Sequence, residues 1–253
     1  MFSRLFSRSA PQPATVSAQV PPGSRIYAIG DVHGRADLLE RLRTAIVEDA
    51  GSHPVERKVV VYLGDYVDRG SDSRGVVDLL AKEALPGFES VFLKGNHEDS
   101  MLQFLTDPAI APAWMAYGGE ATLYSYGVRP PDARRVEDIL AAQKAFIAAL
   151  PPEHLDFLKW LKLVHIEGGY AFVHAGFRAN VPIELQDPQD MMWIRNEFLD
   201  SHADFGKVAV HGHTITEVPE IRANRIGIDT GAFATGTLTC LVLEGTERRF
   251  LAT

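Results

Sequence analysis

The sequence predicts an α/β fold, on three observations. Short apolar runs alternate with helical patterns from residue 25 to about residue 106. The runs at 58–64 and 90–95, "KVVVYLG" and "SVFLKG", are nearly continuous in apolar character, as expected of strands buried on both faces. Each of the first three runs ends in glycine followed by a polar cluster, and ligands in α/β sheets gather at the carboxyl ends of the strands.

The first strand is read at "RIYAIG" (25–30). A helix follows over 35–51, where Leu38, Leu42, Ala45 and Ile46 recur at helical spacing and Gly51 supplies a stop. After the second strand, "SDSRGVVDLLAKEAL" reads as a helix, and "SVFLKG" is the third strand. From 107 to 160 the pattern changes. "DPAIAPAWMAYGGEATLYSYGVRPPDARR" reads as irregular and aromatic, whereas "VEDILAAQKAFIAAL" and "PEHLDFLKWLKL" read as helices, the latter with Pro152 in its first turn. This segment is expected to be a helical cap or insertion. "LVHIEGGYAFVHAG" predicts a hairpin turning at Gly168–Gly169, and "KVAVHGHT", "RIGIDTGAF" and "LTCLVLEG" complete a β-rich second half. Residues 1–24 carry two arginines but no continuous apolar stretch, so they read as a flexible tail preceding one domain over 25–253.

Hydrophobic residues at 46% leave ample material for a core, and a net charge of -8 argues against broad binding to nucleic acid or anionic membrane. No run approaches the roughly 18 apolar residues of a membrane span. The single cysteine, Cys240, lies in an apolar run, so no intrachain disulfide exists and a cytoplasmic location is expected. Cys240 itself reads as a small buried hydrophobe rather than a nucleophile.

Five polar clusters stand at predicted strand ends: Asp31-Val32-His33-Gly34, Asp65-Tyr66-Val67-Asp68-Arg69-Gly70, Asn96-His97-Glu98, His174-Ala175-Gly176 and His211-Gly212-His213. Taken singly they are weak. Asp31 could cap a helix, and an isolated histidine is usually a satisfied partner. Together they offer carboxylate, imidazole and carboxamide donors without thiolate, a set suited to manganese, iron, zinc or magnesium. Two such ions require a bridging carboxylate, which Asp65 could supply.

The blocks "GDVHG", "GDYVDRG", "GNHE", "HAG" and "HGHT" resemble those of the calcineurin-like metallophosphoesterases, in their bacterial and phage Ser/Thr phosphoprotein-phosphatase form. The resemblance runs from about residue 26 to 245. It implies a sandwich of two mixed β-sheets flanked by helices, and a phosphoester hydrolase with two divalent metal ions, Mn2+ foremost. Asp31 and His33 would hold the first ion, Asp65 would bridge, and Asn96, His174 and His213 would hold the second. Side chains two apart on an extended segment point the same way, which would let Asp31 and His33 share an ion.

The resemblance further implies that His97 is the general acid, oriented by Asp68, and that Arg69 and Arg195 bind the substrate phosphate. His211 is expected to be a neighbour rather than a ligand, Glu98 a support of its loop, and Asp229 with Gly231 a turn-forming or supporting element. His53, His154, His165 and His202 lie outside the blocks and read as structural or exposed. Within the resemblance, Asp68 and Glu98 favour the protein-phosphatase branch, which implies hydrolysis of phosphomonoesters by direct attack of a metal-bridging hydroxide, foremost by a serine/threonine protein phosphatase, with a phosphorylated protein or small phosphoester as substrate. The alternative is a symmetrical diadenosine tetraphosphatase or related nucleotide hydrolase, whose blocks resemble "GDLVARG" and "GNHD". The aromatics of "WMAYGGEATLYSYG" are expected to pack rather than to stack on a base.

Overall fold

The structure, a computed structural model, describes residues 18–82 and 84–253. The predicted alternation is present as β1 (Ser24–Ile29), α1 (Ala36–Ser52), β2 (Arg57–Tyr62), α2 (Ser73–Lys82), β3 (Glu89–Phe92) and α3 (Asn96–Thr106). The 107–160 segment holds α4 (Ala111–Ala116), α5 (Gly119–Ser125), α6 (Val136–Ala149) and α7 (Pro152–Lys159). The second half comprises β4 (Val164–Glu167), β5 (Tyr170–Val173), α8 (Pro188–Trp193), α9 (Asn196–Leu199), β6 (Val208–His211), β7 (Glu220–Ile221), β8 (Arg225–Gly227), α10 (Ala232–Thr235), β9 (Thr239–Glu244) and β10 (Glu247–Ala252).

These strands form two five-stranded sheets, ordered β10-β9-β1-β2-β3 and β4-β5-β6-β8-β7. Both are mixed: β1, β2 and β3 run parallel while β9 and β10 are antiparallel, and β5, β6 and β8 run parallel between antiparallel edges. The predicted hairpin is the β4–β5 pair, with Glu167 opposite Tyr170 across the two glycines.

Strand alternation explains the layering. Ile26, Ala28, Val59 and Val61 face the second sheet and meet Tyr170, Phe172, Val210 and Ile226 in a fully buried seam. Their neighbours Tyr27, Ile29, Val60 and Tyr62 point the other way and pack with Leu38, Leu42 and Ile46 of α1. The second sheet's outer face, Ala171, Val173 and Ala209, is covered by Met191, Ile194 and Phe198. Two sheets packed face to face between helical layers direct the ends of β1, β2, β3, β5 and β6 to one edge of the sandwich.

Two expectations need correction. Residues 1–17 of the expected tail lie outside the described residues, but the remainder is part of the fold. Val20 is 2% exposed within the inter-sheet core, its N–H donates to Gly245 O at 3.0 Å, and Gln19 O accepts from Gly169 N–H at 2.8 Å. Residues 111–125, expected to be irregular, form two short helices. Gly118, at φ 103°, breaks what would otherwise be one helix, and Trp114, Met115, Leu123 and Tyr126 bury its inner side in the α1–α3 core. The expected packing role holds for Trp114 and Tyr126, whereas Tyr117 and Tyr124 remain 43% and 64% exposed. Cys240 is buried in β9, and burial raises its thiol. Among the described residues, no helix is long and apolar enough to cross a membrane.

Candidate metal centre and acid

Five of the six non-glycine residues with positive φ among the described residues are His33 (45°), Asp65 (51°), Asp68 (71°), Arg69 (66°) and His213 (64°). All belong to the predicted clusters. Such backbone costs of order 1–3 kcal/mol per residue and persists only where surrounding contacts impose it. The contacts are visible. Val32 and His33 both donate N–H to Asp65 O, at 3.1 and 2.8 Å, and Gly34 N–H donates to Tyr66 O at 2.8 Å, which locks the loop after β1 onto the loop after β2. His33 therefore turns out of the strand, and the alternation argument that paired it with Asp31 does not apply there.

Glu98, fully buried in the first turn of α3, organises the same loop. Its carboxylate accepts from Asp65, Tyr66, Val67 and Gly95 N–H at 2.8, 2.7, 3.3 and 2.9 Å. Burial first, then the Asp65 charge, pushes its carboxyl up to about 7. Glu98→Gln leaves two of these four N–H groups facing an amide donor, whichever way the side chain is placed. The expected destabilisation is about 2–6 kcal/mol, read as a lower urea midpoint at unchanged m-value. A loss under about 1 kcal/mol would remove Glu98 from this role.

Two donor groups converge within ligand distance of one another: His33, Asp65 and His97 in one, and Asp65, His174 and His213 in the other, all buried. Asp65 belongs to both. Its Oδ2 lies 3.5 Å from His33 Nε2, 3.8 Å from His97 Nε2 and 3.4 Å from His174 Nε2. Two imidazoles have their tautomer set by the backbone, since His33 Nδ1 meets Val67 O at 2.8 Å and His174 Nδ1 meets Leu63 O at 2.9 Å. Each therefore presents Nε2 to the site. Asn96 Oδ1 is 3.0 Å from His174 Nε2, and His213 Nδ1 is 3.2 Å from it, so the expected second-ion residues lie together. Asp31 belongs to neither group; its Oδ2 accepts from His213 N–H at 3.0 Å and its Oδ1 lies against Gly212, where a Cβ would come within 2.0 Å.

The electrostatics suit a cation. Burial drives His33 to about 3 and His213 to about 2, so both imidazoles are neutral lone-pair donors at ordinary pH. Burial alone would lower His174 too, but the Asp65 carboxylate outweighs it and raises it. Asp31 is pushed well above the usual carboxylate range, first by burial and then by the nearby Asp229 and Asp65 charges. Buried side-chain atoms without partners are rare. Among the described residues they are Asp31 Oδ1, His213 Nε2 and Asp229 Oδ2. Carboxylate oxygens left without protons to accept, beside buried neutral imidazoles, are the donor chemistry of a divalent metal site.

His97 stands apart through its second nitrogen. Nδ1 lies 2.7 Å from Asp68 Oδ2, so Nε2 faces the site. Burial opposes charge on this ring, but Asp65 and then Asp68 outweigh it and raise its pKa. Asp68 is itself held by residues the sequence reading did not single out. Trp114 Nε1–H donates to Oδ2 at 2.9 Å, and Thr122 Oγ1 donates to Oδ1 at 2.6 Å. The 107–160 segment thus supplies part of the support of Asp68 and, through it, of His97. The available signal was the Gly118-Gly119 pair: a Cβ on Gly118 would meet Arg69 Cγ at 2.8 Å, and one on Gly119 the Trp114 ring at 2.7 Å.

Arg69 reaches the mouth of the site over Phe233, 4.9 Å from the ring centre. Its Nη1 is 3.0 Å from His33 Nε2, the nitrogen that this ring presents to the site. Arg195 is exposed and donates to Thr214 Oγ1 at 3.4 Å, beside His213. Tyr117 and Trp193, 5.7 Å apart, line the rim near His97 and His213. His211 does not join the site: it packs against Phe198 at 5.0 Å and lies 3.4 Å from Arg225 Nη1 on the outer side of β6. His154 is buried between Tyr126 and Asp78.

The family profile described as calcineurin-like phosphoesterase matches residues 24–231. The bis(5'-nucleosyl)-tetraphosphatase PrpE (asymmetrical) of Bacillus thuringiensis strain Al Hakam is 24% identical over 234 residues, spanning 84% of this chain and 88% of that one. Among solved structures, a candidate diadenosine tetraphosphatase aligns with a TM-score of 0.60 at 21% identity, covering 94% of each chain. The cold-active protein-tyrosine phosphatase of a Shewanella species aligns at 0.55 and 17% identity, covering 92% of this chain and 83% of that one. At these identities the two structures speak to the fold.

Proposed function

Since the chain belongs to the calcineurin-like phosphoesterases and is a metal-dependent phosphoric ester hydrolase, we propose that it cleaves phosphomonoesters with alkoxide leaving groups, foremost phosphoserine and phosphothreonine in proteins. The observation that carries this reading is the buried His97–Asp68 pair at 2.7 Å. A seryl or threonyl alkoxide departs poorly and requires a proton, whereas a nucleotide phosphate departs readily without one. An imidazole fixed by a buried carboxylate, itself fixed by Trp114 and Thr122, is the arrangement such a leaving group demands.

Asp31, His33, Asp65, Asn96, His174 and His213 are the residues assigned to hold two divalent ions, Mn2+ foremost. When bound, such ions lower the pKa of a coordinated water and offset charge on the phosphate. The chain's own groups then do the following. Asp65, shared by both donor groups, fixes their spacing. His97 Nε2 delivers a proton to the departing oxygen while Asp68 holds Nδ1–H. Arg69 leaves His33 for the phosphate oxygens, and Arg195 approaches them from the Thr214 side.

A second reading, cleavage of a dinucleoside tetraphosphate, is favoured by the names of the curated relatives. The metal-reconstituted enzyme distinguishes the two in a rate comparison of phosphoserine, phosphothreonine and phosphotyrosine peptides, p-nitrophenyl phosphate and diadenosine tetraphosphate. The highest kcat/KM is expected on a phosphoserine or phosphothreonine peptide; dominant cleavage of the dinucleotide would replace that reading with the second.

A further inference from the structure

Two of the three partnerless buried atoms belong to residues already assigned to the metal centre, Asp31 and His213; the third, Asp229 Oδ2, belongs to none. We propose that Asp229 is an additional carboxylate of the metal centre, its Oδ2 meeting a divalent ion or that ion's water on the Asp31 side. The proposal rests on reading the site as a divalent-metal centre.

Asp229 follows β8 and is 2% exposed. Its backbone is fixed on both sides, with Ile228 N–H donating to His211 O at 2.9 Å and Thr216 N–H donating to Asp229 O at 3.0 Å. Its Oδ1 accepts from Gly231 N–H at 2.9 Å, which satisfies the turn role expected of this element. That role leaves Oδ2 unexplained. Gly30 brings the two strands together: a Cβ there would lie 2.6 Å from Ile228 O and 3.7 Å from Asp229 Cα, so residue 229 presses against the residue preceding Asp31. The charge of Asp229 acts on Asp31, and those of Asp65 and His174 act on Asp229.

Asp31, Asp65 and Asp229 therefore place three carboxylates in one buried space, where like charges cannot coexist without a counter-charge. A divalent ion on the Asp31 side would supply that counter-charge.

The test is metal binding by the full chain, stripped with chelator and titrated with Mn2+ by calorimetry, with bound metal counted by elemental analysis. Asp229→Asn and Asp229→Ser both retain a group able to accept from Gly231 N–H, and Glu217→Gln is an exposed control. The expected result is about 10–100-fold weaker binding of one ion in both Asp229 variants. Far-UV circular dichroism is expected to be unchanged, and the metal-free variants no less stable than the metal-free parent. Wild-type affinity for both ions would overturn the proposal. So would unfolding of both variants, which would make Asp229 a residue of the fold alone. A parent chain that takes up no Mn2+ would instead overturn the reading of the site, and this proposal with it.

Discussion

His97→Asn lowers turnover of alkyl phosphoesters by about 10²–10⁴-fold, with both metal ions retained and a much smaller loss on p-nitrophenyl phosphate. The asymmetry is the informative part. A proton donor matters in proportion to the basicity of the departing oxygen, so nitrophenolate needs little help and an alkoxide needs most of it. Asp68→Asn follows the same pattern at smaller amplitude, because the ring keeps Nε2 but loses its anionic partner at Nδ1. Trp114→Phe removes one neutral donor from Asp68 Oδ2 and keeps the ring within the core. A net hydrogen bond of about 1 kcal/mol corresponds to roughly a fivefold loss in rate. A rate series over leaving groups, with metal content measured on the same samples, checks all three. The rival role is explicit in the geometry, since His97 Nε2 lies within the His33–Asp65 donor group. If His97→Asn loses a metal ion and slows every substrate equally, His97 is a ligand and not the acid.

How much of this site was legible in the sequence depends on which residues carried their chemistry in their type. Asp65, Asn96, His174 and His213 were legible because carboxylate, carboxamide and imidazole at strand ends have few structural reasons to recur together, and the sheet order brings those ends to one edge. Glu98 was legible as a support, although its four backbone partners were not. What escaped depended on backbone conformation or long-range docking. The left-handed φ of His33 and His213 has no signature in residue type, so the strand-alternation argument failed for Asp31 with His33. Trp114 read as a packing aromatic and is fully buried, and Thr122 carried no sequence signal of its own. Their bonds to Asp68 arise only because a helical segment some 50 residues away folds back on the β2 loop. Fold was read from apolar periodicity in the same way. Periodicity recovers long helices such as α1 and α6, but not α4 and α5, which are too short to show a period.

Asp65→Asn has the widest reach of any substitution at the centre, because Asp65 alone is common to both donor groups. One carboxylate oxygen lies within 3.8 Å of three imidazole nitrogens, while the other accepts His97 N–H at 3.1 Å. The amide keeps the shape and one acceptor, so the fold survives, but it removes the anion that, among the described residues, is common to both donor groups. In the parent chain, a divalent ion at 100 times its dissociation constant adds about 2.7 kcal/mol per site. For a chain of this length that is a rise in midpoint of about 5–11 °C per ion. The variant is expected to bind at most one ion, to show less than half of the parent's metal-dependent rise, and to lose activity to background. Metal counting and thermal melts with and without Mn2+ read the first two without reference to any substrate. A variant that keeps two ions and the full rise would mean that Asp65 does not bridge. The burden would then fall on Asp31 and Asp229, whose partnerless oxygens already mark where a counter-charge is needed.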